Sequence, residues 1–249
     1  MIKSLTDFLN EMANMPMVAG PHAHVRVWFR GQAQVGWPLQ PAVYRPGFPA
    51  ANETDRLRIE QHLAQDFRVE SAGLLTGRET EAELYFLEQH YGLPTRLLDW
   101  THNPLPALFF ATDRPANDGE LFVMDAAQMS TPERPHFGVA SSRHGIFVAA
   151  MEVISRWKDI GDFPRFIIPV RPDYIDRRVT FQHSCFTFHV PTTPTLTSAG
   201  NPSLRSFTIP AAAKSRIRRE LTLLGVDQFS IFGDLENLAK RLKAAHQLP

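Results

Sequence analysis

Apolar positions along the chain follow two periods. Ile2, Leu5, Phe8, Leu9 and Met12 fall on one helical face, which predicts a helix over 2–15. Ser4, with Asp7 three positions on, resembles a capping box in which Asp replaces the usual Glu. HVRVWF, residues 24–29, is β-rich and stops at Gly31. Four prolines and two glycines make 36–50 an irregular connector. Helices are predicted over 54–72 and 79–91, the second ended by Gly92 with Pro94 beyond it. RLLDW is a short strand that runs into a helix capped by Thr101 or Asn103, with Pro104 in its first turn. Strands follow at 119–125 and 165–170, a helix at 142–158, and a strand with a turn in it at 178–190. The Pro-, Thr- and Ser-rich stretch 191–202 reads as a long loop before helices at 211–224 and 234–246. The pattern predicts one α+β domain over 1–249, with an N-terminal helix in 1–20, a core over 24–190, and a loop and closing helices over 191–249. Its strands are too scattered for a regular βαβ series.

Composition narrows the partners. The 249 residues carry 26 Lys+Arg against 26 Asp+Glu, and 43% are hydrophobic. That excludes a disordered chain, a coiled coil and a strongly basic nucleic-acid coat, so any nucleic acid must be held by a local patch. No apolar run is long enough to span a membrane, and the N-terminus lacks a signal-peptide core. The single cysteine, Cys185, excludes an internal disulfide framework and a cysteine-built zinc site. These features predict a cytoplasmic protein with no membrane partner. The phosphate-cradling, dinucleotide-binding, serine-elbow and zinc-protease motifs are all missing. The pairs His22/His24 and His183/His189 lack a third ligand, so no metal is expected, and Cys185 reads as a small core hydrophobe.

Two segments carry more information. In WFRGQ, Trp28–Gln32, Arg30 ends a strand beside a glycine that something can approach closely. The arginine suits a phosphate or diphosphate, or else a buried carboxylate such as Asp99. The segment Glu88–Ala111 packs His90, Tyr91, Thr95, Arg96, Asp99, Trp100 and Thr101 among apolar residues. So many polar groups need one another or a ligand, which makes the segment a structural network or a pocket floor. Further on, KSRIRRE places Lys214, Arg216, Arg218 and Arg219 close together, as a solvated helix face or a grip on nucleic-acid phosphates.

At these segments the chain resembles the FRG domain family, through Phe29-Arg30-Gly31 followed by Gln32, and through QHYGLPTRLLDWT with Asn103, Pro104 and ALFFA. Further likeness lies in RRVTFQHSCFTFHV and LGVDQFSIFGDLENLAKRL, so the resemblance spans roughly residues 24–243. The motif order is also similar to ADP-ribosyltransferases of the arginine–serine–glutamate type. That likeness implies a split, mostly antiparallel sheet flanked by helices and NAD as substrate. It makes Arg30, Asp99, Thr101 and Gln182 the catalytic candidates. Arg30, Gly31, Gln32, His90, Tyr91, Thr95, Arg96 and Trp100 would bind NAD, with Tyr91, Trp100 or Phe186 as the nicotinamide slot. The acceptor would be a protein or nucleic acid, the role that of a toxin or anti-phage effector, and an antitoxin or regulatory protein a possible partner. The sequence departs from that pattern where Asp-Trp-Thr replaces Ser-Thr-Ser and Gln182 replaces a glutamate. Glutamine cannot supply the negative charge that stabilises a developing cation, and Asp99 would have to. Glu236, the other candidate acid, reads as the first turn of a helix capped by Asp234. A non-catalytic nucleotide- or RNA-binding module, and a metal-independent ribonuclease using His90 and Asp99, are the competing classes.

Overall fold

Seven strands form one sheet in the order β4-β5-β6-β2-β1-β3-β7: β1 (Val27–Gln32), β2 (Leu97–Thr101), β3 (Gly119–Asp125), β4 (Ala140–Ser141), β5 (Ile167–Arg171), β6 (Ser184–His189) and β7 (Leu204–Ile209). The computed structural model describes residues 1–19, 22–129, 138–155, 167–173, 183–189, 195–197 and 201–247. Helices α1 (Leu5–Ala13), α2 (Ala23–Arg26), α3 (Glu53–Ser71), α4 (Glu81–His90), α5 (Pro104–Ala111), α6 (Gly145–Ser155), α7 (Ala211–Leu223), α8 (Gln228–Phe232) and α9 (Leu235–Ala245) surround it.

The sheet is mixed. The β4/β5 pair is parallel, while the pairs β1/β2, β1/β3, β2/β6, β3/β7 and β5/β6 are antiparallel. The parallel pair follows from α6, which supplies the crossover that parallel strands require. A mostly antiparallel, split sheet was expected. The one found is mixed and unbroken, though β1 and β2 meet only at Phe29↔Thr101.

Side chains alternate across the strands, so the register assigns the faces. On one face, Leu97, Ile168, Val170, Phe186 and Phe188 pack under α3, α4 and α6. On the same face, Val27, Phe29, Leu121, Val123 and Ile209 pack under α1, α5 and α7. These are two separate apolar clusters, divided along the β1/β2 seam. The opposite face buries Trp28, Leu98, Trp100, Phe122 and Met124 under connecting segments that contribute Leu39, Met129 and Leu196.

The caps follow the local sequence. Ser4 accepts from the Asp7 amide, while the Asp7 carboxylate accepts from the Lys3 amide one residue before the capping position. Thr80 and Glu83 form a full capping box on α4, and Gly92 ends that helix at φ +87°. Asn103 caps α5 ahead of Pro104. Asp234 caps α9, where Glu236 pairs with Lys240 at 2.6 Å, in keeping with its helix-start reading.

Two differences matter. The first strand starts at Val27, after a helical turn, and runs through Gly31 instead of stopping before it, because Gly31 pairs with Leu121 in the ladder. Strand β7 was not anticipated: it is an edge strand with only Leu204 and Ile209 buried, so LRSFTI shows no clean alternation. Its outer side is partly closed where the Ile2 amide donates to the Thr208 carbonyl at 2.9 Å.

Candidate functional site: a cleft at the sheet seam

Past Phe29↔Thr101 the ladder between β1 and β2 ends, and the Asp99 carbonyl accepts instead from the Arg30 guanidinium at 2.6 Å. The same nitrogen lies 3.8 Å from the Asp99 carboxylate, which is largely exposed. Burial depresses the Arg30 pKa to about 10, with Asp99 pulling up and Arg45 pushing down, so the arginine remains cationic at neutral pH. Among the described residues its Nε has no partner, and neither does Oε1 of Gln32, two residues along the same face of β1. Gln32 is 95% buried by its 5% exposure, a setting in which polar atoms are normally paired. Both residues line a cleft of about 990 Å³ that opens at the seam. A donor and an acceptor are thus buried without partners on two residues that line one cleft.

Gly31 belongs to the scaffold. It was read as clearance for a ligand, but a Cβ at residue 31 would stand 1.8 Å from the Ala107 carbonyl oxygen and 2.7 Å from the Ala111 amide. What approaches is the backbone of α5. The small residues Ala107 and Ala111 seat the helix on β1, and Gly119 on β3 meets the Ala111 carbonyl in the same way, at 2.1 Å. Phe110 and Pro106 of that helix then form one wall of the cleft.

Opposite stands α4. Gln89 donates through Nε2 to both Asp99 carboxylate oxygens, at 3.0 and 3.1 Å, and its Oε1 accepts from the Thr95 hydroxyl. The Thr95 oxygen in turn accepts from the Leu97 amide at 3.1 Å, so its own proton is committed to Gln89. This chain fixes which end of the Gln89 amide faces Asp99. Thr95 was predicted to bind cofactor, yet it is fully buried and acts through Gln89. Arg96, predicted for the same role, is also fully buried and points away from the cleft. Its Nε is 3.0 and 2.9 Å from the two Glu60 oxygens, and its NH1 donates to Glu53 at 2.7 Å and to the Tyr44 hydroxyl at 2.6 Å. A cation withdrawn from water requires such a partner set, and the set holds α3 against β2.

The remaining rim comes from the 36–50 connector and from the segment after α5, neither of which the sequence marks as part of a site. Trp37, Arg45 and Arg114 line the cleft, and the Arg114 guanidinium lies 4.9 Å from the centre of the Trp37 ring. Lys214 fastens this rim. Its ammonium, 1% exposed at the residue level, donates to the carbonyls of Ala33, Asp113 and Arg114 at 2.7, 2.5 and 3.1 Å. Three donors meet three acceptors, so the residue predicted to grip nucleic acid is spent internally. Lys214→Met is expected to lower stability by about 3 kcal/mol, because the three carbonyls lose their donor. Urea unfolding checks this, and a loss below about 0.5 kcal/mol would contradict the staple.

The other predicted residues divide. His90 lines the cleft at the end of α4. Thr101 also lines it, but its hydroxyl accepts from the Asn103 amide at 2.9 Å and shapes the turn into α5. Trp100 contributes to the wall while its indole is buried on the opposite face and donates to Thr187 at 3.1 Å. Phe186 is core, and Tyr91 is exposed, outside the lining, against the His90 ring. None of these three offers an open aromatic slot. Gln182 lies outside the described residues. Of the basic run, Arg216 pairs with Glu220 at 2.8 Å and Arg218 lies 3.8 Å over the Phe109 ring, leaving Arg219 exposed without a neighbouring grip. Cys185 is buried, and its thiol is pushed well up by burial.

The family model of the FRG domain matches residues 25–120. No curated protein and no solved structure matches the chain. The matched segment contains every residue that lines the cleft, from Phe29 to Arg114, and ends at the start of β3, before strands β4 to β7 and the C-terminal helices.

Proposed function

The chain carries an FRG domain, and from the cleft inside that domain we infer that the protein is an NAD-dependent ADP-ribosyltransferase. One observation carries the reading: Arg30 and Asp99 face each other at a seam in the sheet, beside the unpaired atoms of Arg30 and Gln32, in a cleft of dinucleotide size. Arg30 and Arg45 are near enough to repel, and a diphosphate between them would relieve that repulsion. Asp99 supplies the negative charge that glutamine at 182 lacks.

The bond that breaks joins C1′ of the ribose to the nicotinamide nitrogen, and its electron pair leaves with neutral nicotinamide. The positive charge left on the ribose lies next to the Asp99 carboxylate, held in place by Gln89. An acceptor nucleophile then bonds to C1′ and releases its proton to solvent. Fixed charge and orientation supply the rate, without a metal or a covalent intermediate on the protein. The acceptor in this reading is a protein or nucleic acid, and the role that of a toxin or anti-phage effector. The basic run 214–220 is not part of this site: Lys214, Arg216 and Arg218 are engaged elsewhere, and Arg219 alone makes no patch. No helix among the described residues is long and apolar enough to cross a membrane.

The test is transfer of tagged ADP-ribose from NAD to a cell lysate separated into protein, RNA and DNA. Arg30→Ala is expected to lose ~100-fold or more of the transfer while keeping its melting temperature. Undiminished transfer by the folded variant would refute the assignment. NAD bound without turnover would make the domain a binding module, the reading that Gln182 favours. RNA cleaved in chelator would return the ribonuclease.

A further inference from the structure

The cleft has a second pole that the proposed chemistry does not use. Strand β1 lies between β2 and β3, so a groove crossing its C-terminal end has Asp99 of β2 on one side and the start of β3 on the other. On the β3 side stands Trp37, 37% exposed, in a Gly-Trp-Pro turn where Gly36 adopts φ +83°. A large exposed aromatic on a loose loop would mean little. This one is held. The Val35 backbone amide donates to the Asp118 carbonyl at 2.9 Å, Nδ2 of the Asn117 side chain to Oε1 of Gln34 at 3.0 Å, and the Gly36 backbone amide to Glu120 at 3.3 Å.

Arg114, whose guanidinium stacks on the Trp37 ring, sits at φ +50°, a left-handed conformation that costs a non-glycine residue about 1 kcal/mol. Its carbonyl is one of the three held by Lys214. A strained residue, a buried lysine and an anchored turn therefore all serve to hold an indole and a guanidinium at the mouth of the cleft. Such strain persists where the surroundings over-determine it, and it gathers at ligand clamps. An indole beside a cation suits a planar, electron-rich ring attached to an anionic tail.

We propose that Trp37 and Arg114 form the subsite for the adenine base of the dinucleotide, with the diphosphate lying across Gln32 and Arg30 and the reacting ribose at Asp99. This rests on reading the cleft as an NAD site, and it assigns the ligand's direction within it. The unpaired Gln32 oxygen, between the two poles, then accepts from a ribose hydroxyl.

The experiment is calorimetric titration of the full chain with AMP, nicotinamide mononucleotide and NAD. Trp37→Leu is expected to weaken AMP about tenfold, with nicotinamide mononucleotide unchanged and NAD weakened in step with AMP, and Trp37→Phe to restore most of the loss. Arg114→Gln, which spares the indole, is expected to give the same pattern if Trp37→Leu proves unstable. Wild-type protein that binds all three ligands, together with Trp37→Leu that binds AMP undiminished, overturns the base placement and leaves the NAD reading standing. Loss confined to nicotinamide mononucleotide reverses the direction and overturns the proposal. No binding of any of the three by the wild type overturns both.

Discussion

Gly31→Ala is expected to leave no stable native state. The added methyl group would sit inside the van der Waals radius of the Ala107 carbonyl oxygen, at 1.8 Å, and both contacts are backbone, so no side chain can swing aside. Overpacking of side chains costs about 1–3 kcal/mol because the core repacks. Here relief requires lifting α5 from the sheet, which would uncover Phe29, Leu121 and Val123, and the expected loss is at least about 4 kcal/mol. Circular dichroism during urea unfolding measures it. Gly36→Ala is the matched control: nothing lies within 4 Å of its missing Cβ, so only the backbone conformation at φ +83° opposes it, at about 1 kcal/mol. A Gly31→Ala protein within 1 kcal/mol of wild type would mean that α5 does not rest on β1.

Glu60→Ala is expected to cost about 3–5 kcal/mol, since it strands the Arg96 guanidinium in the interior. Both side chains are 1% exposed. Glu53 and Tyr44 still contact the same guanidinium, but through one nitrogen only. Replacing both partners, as Glu60→Leu with Arg96→Met, is expected to recover most of the loss, because the double variant buries no unpaired charge. A double-mutant cycle reads the coupling directly. If Glu60→Ala unfolds at the same urea concentration as wild type, the pair is not what fastens α3 to β2.

These two sites show what the sequence makes legible. Phe-Arg-Gly stands out as a motif, and the glycine was understood as room for close approach. The spacing could not say that the approaching group is α5, although Ala107 and Ala111, four residues apart on one helical face, were the available signal. The polar run from His90 to Thr101 posed a choice between network and pocket floor, and it is both. Strand alternation sends Asp99 to the seam, while Thr95 and Arg96 precede the strand and are buried behind it. The ends of α4, α5 and α9 were readable because caps are local chemistry, whereas the short helix α8, with its own Asp227 capping box, was not anticipated. Strand β7 was not readable, since an edge strand with two buried positions carries almost no period. Trp37, Arg45 and Arg114 were hidden for a related reason: loop residues have no periodicity, and the Arg114 backbone is held by Lys214, a hundred residues further along the chain. In the sequence that lysine looks like one more charge in a basic run. Only the three carbonyls around it reveal its use.

The order of the strands has a consequence for the timing of synthesis. Arg30 and Asp99 leave the ribosome early, yet β1 and β3 rest in a half-sheet whose edge is β7 and whose covering helix is α7. Lys214, which ties Ala33 to Asp113 and Arg114, arrives later still. Domains fold as units as they emerge, and this one cannot close its cleft until residues 204–221 have been made. A nascent chain ending before residue 204 would thus carry the Phe-Arg-Gly motif without the finished cleft, and the delay is written into the topology.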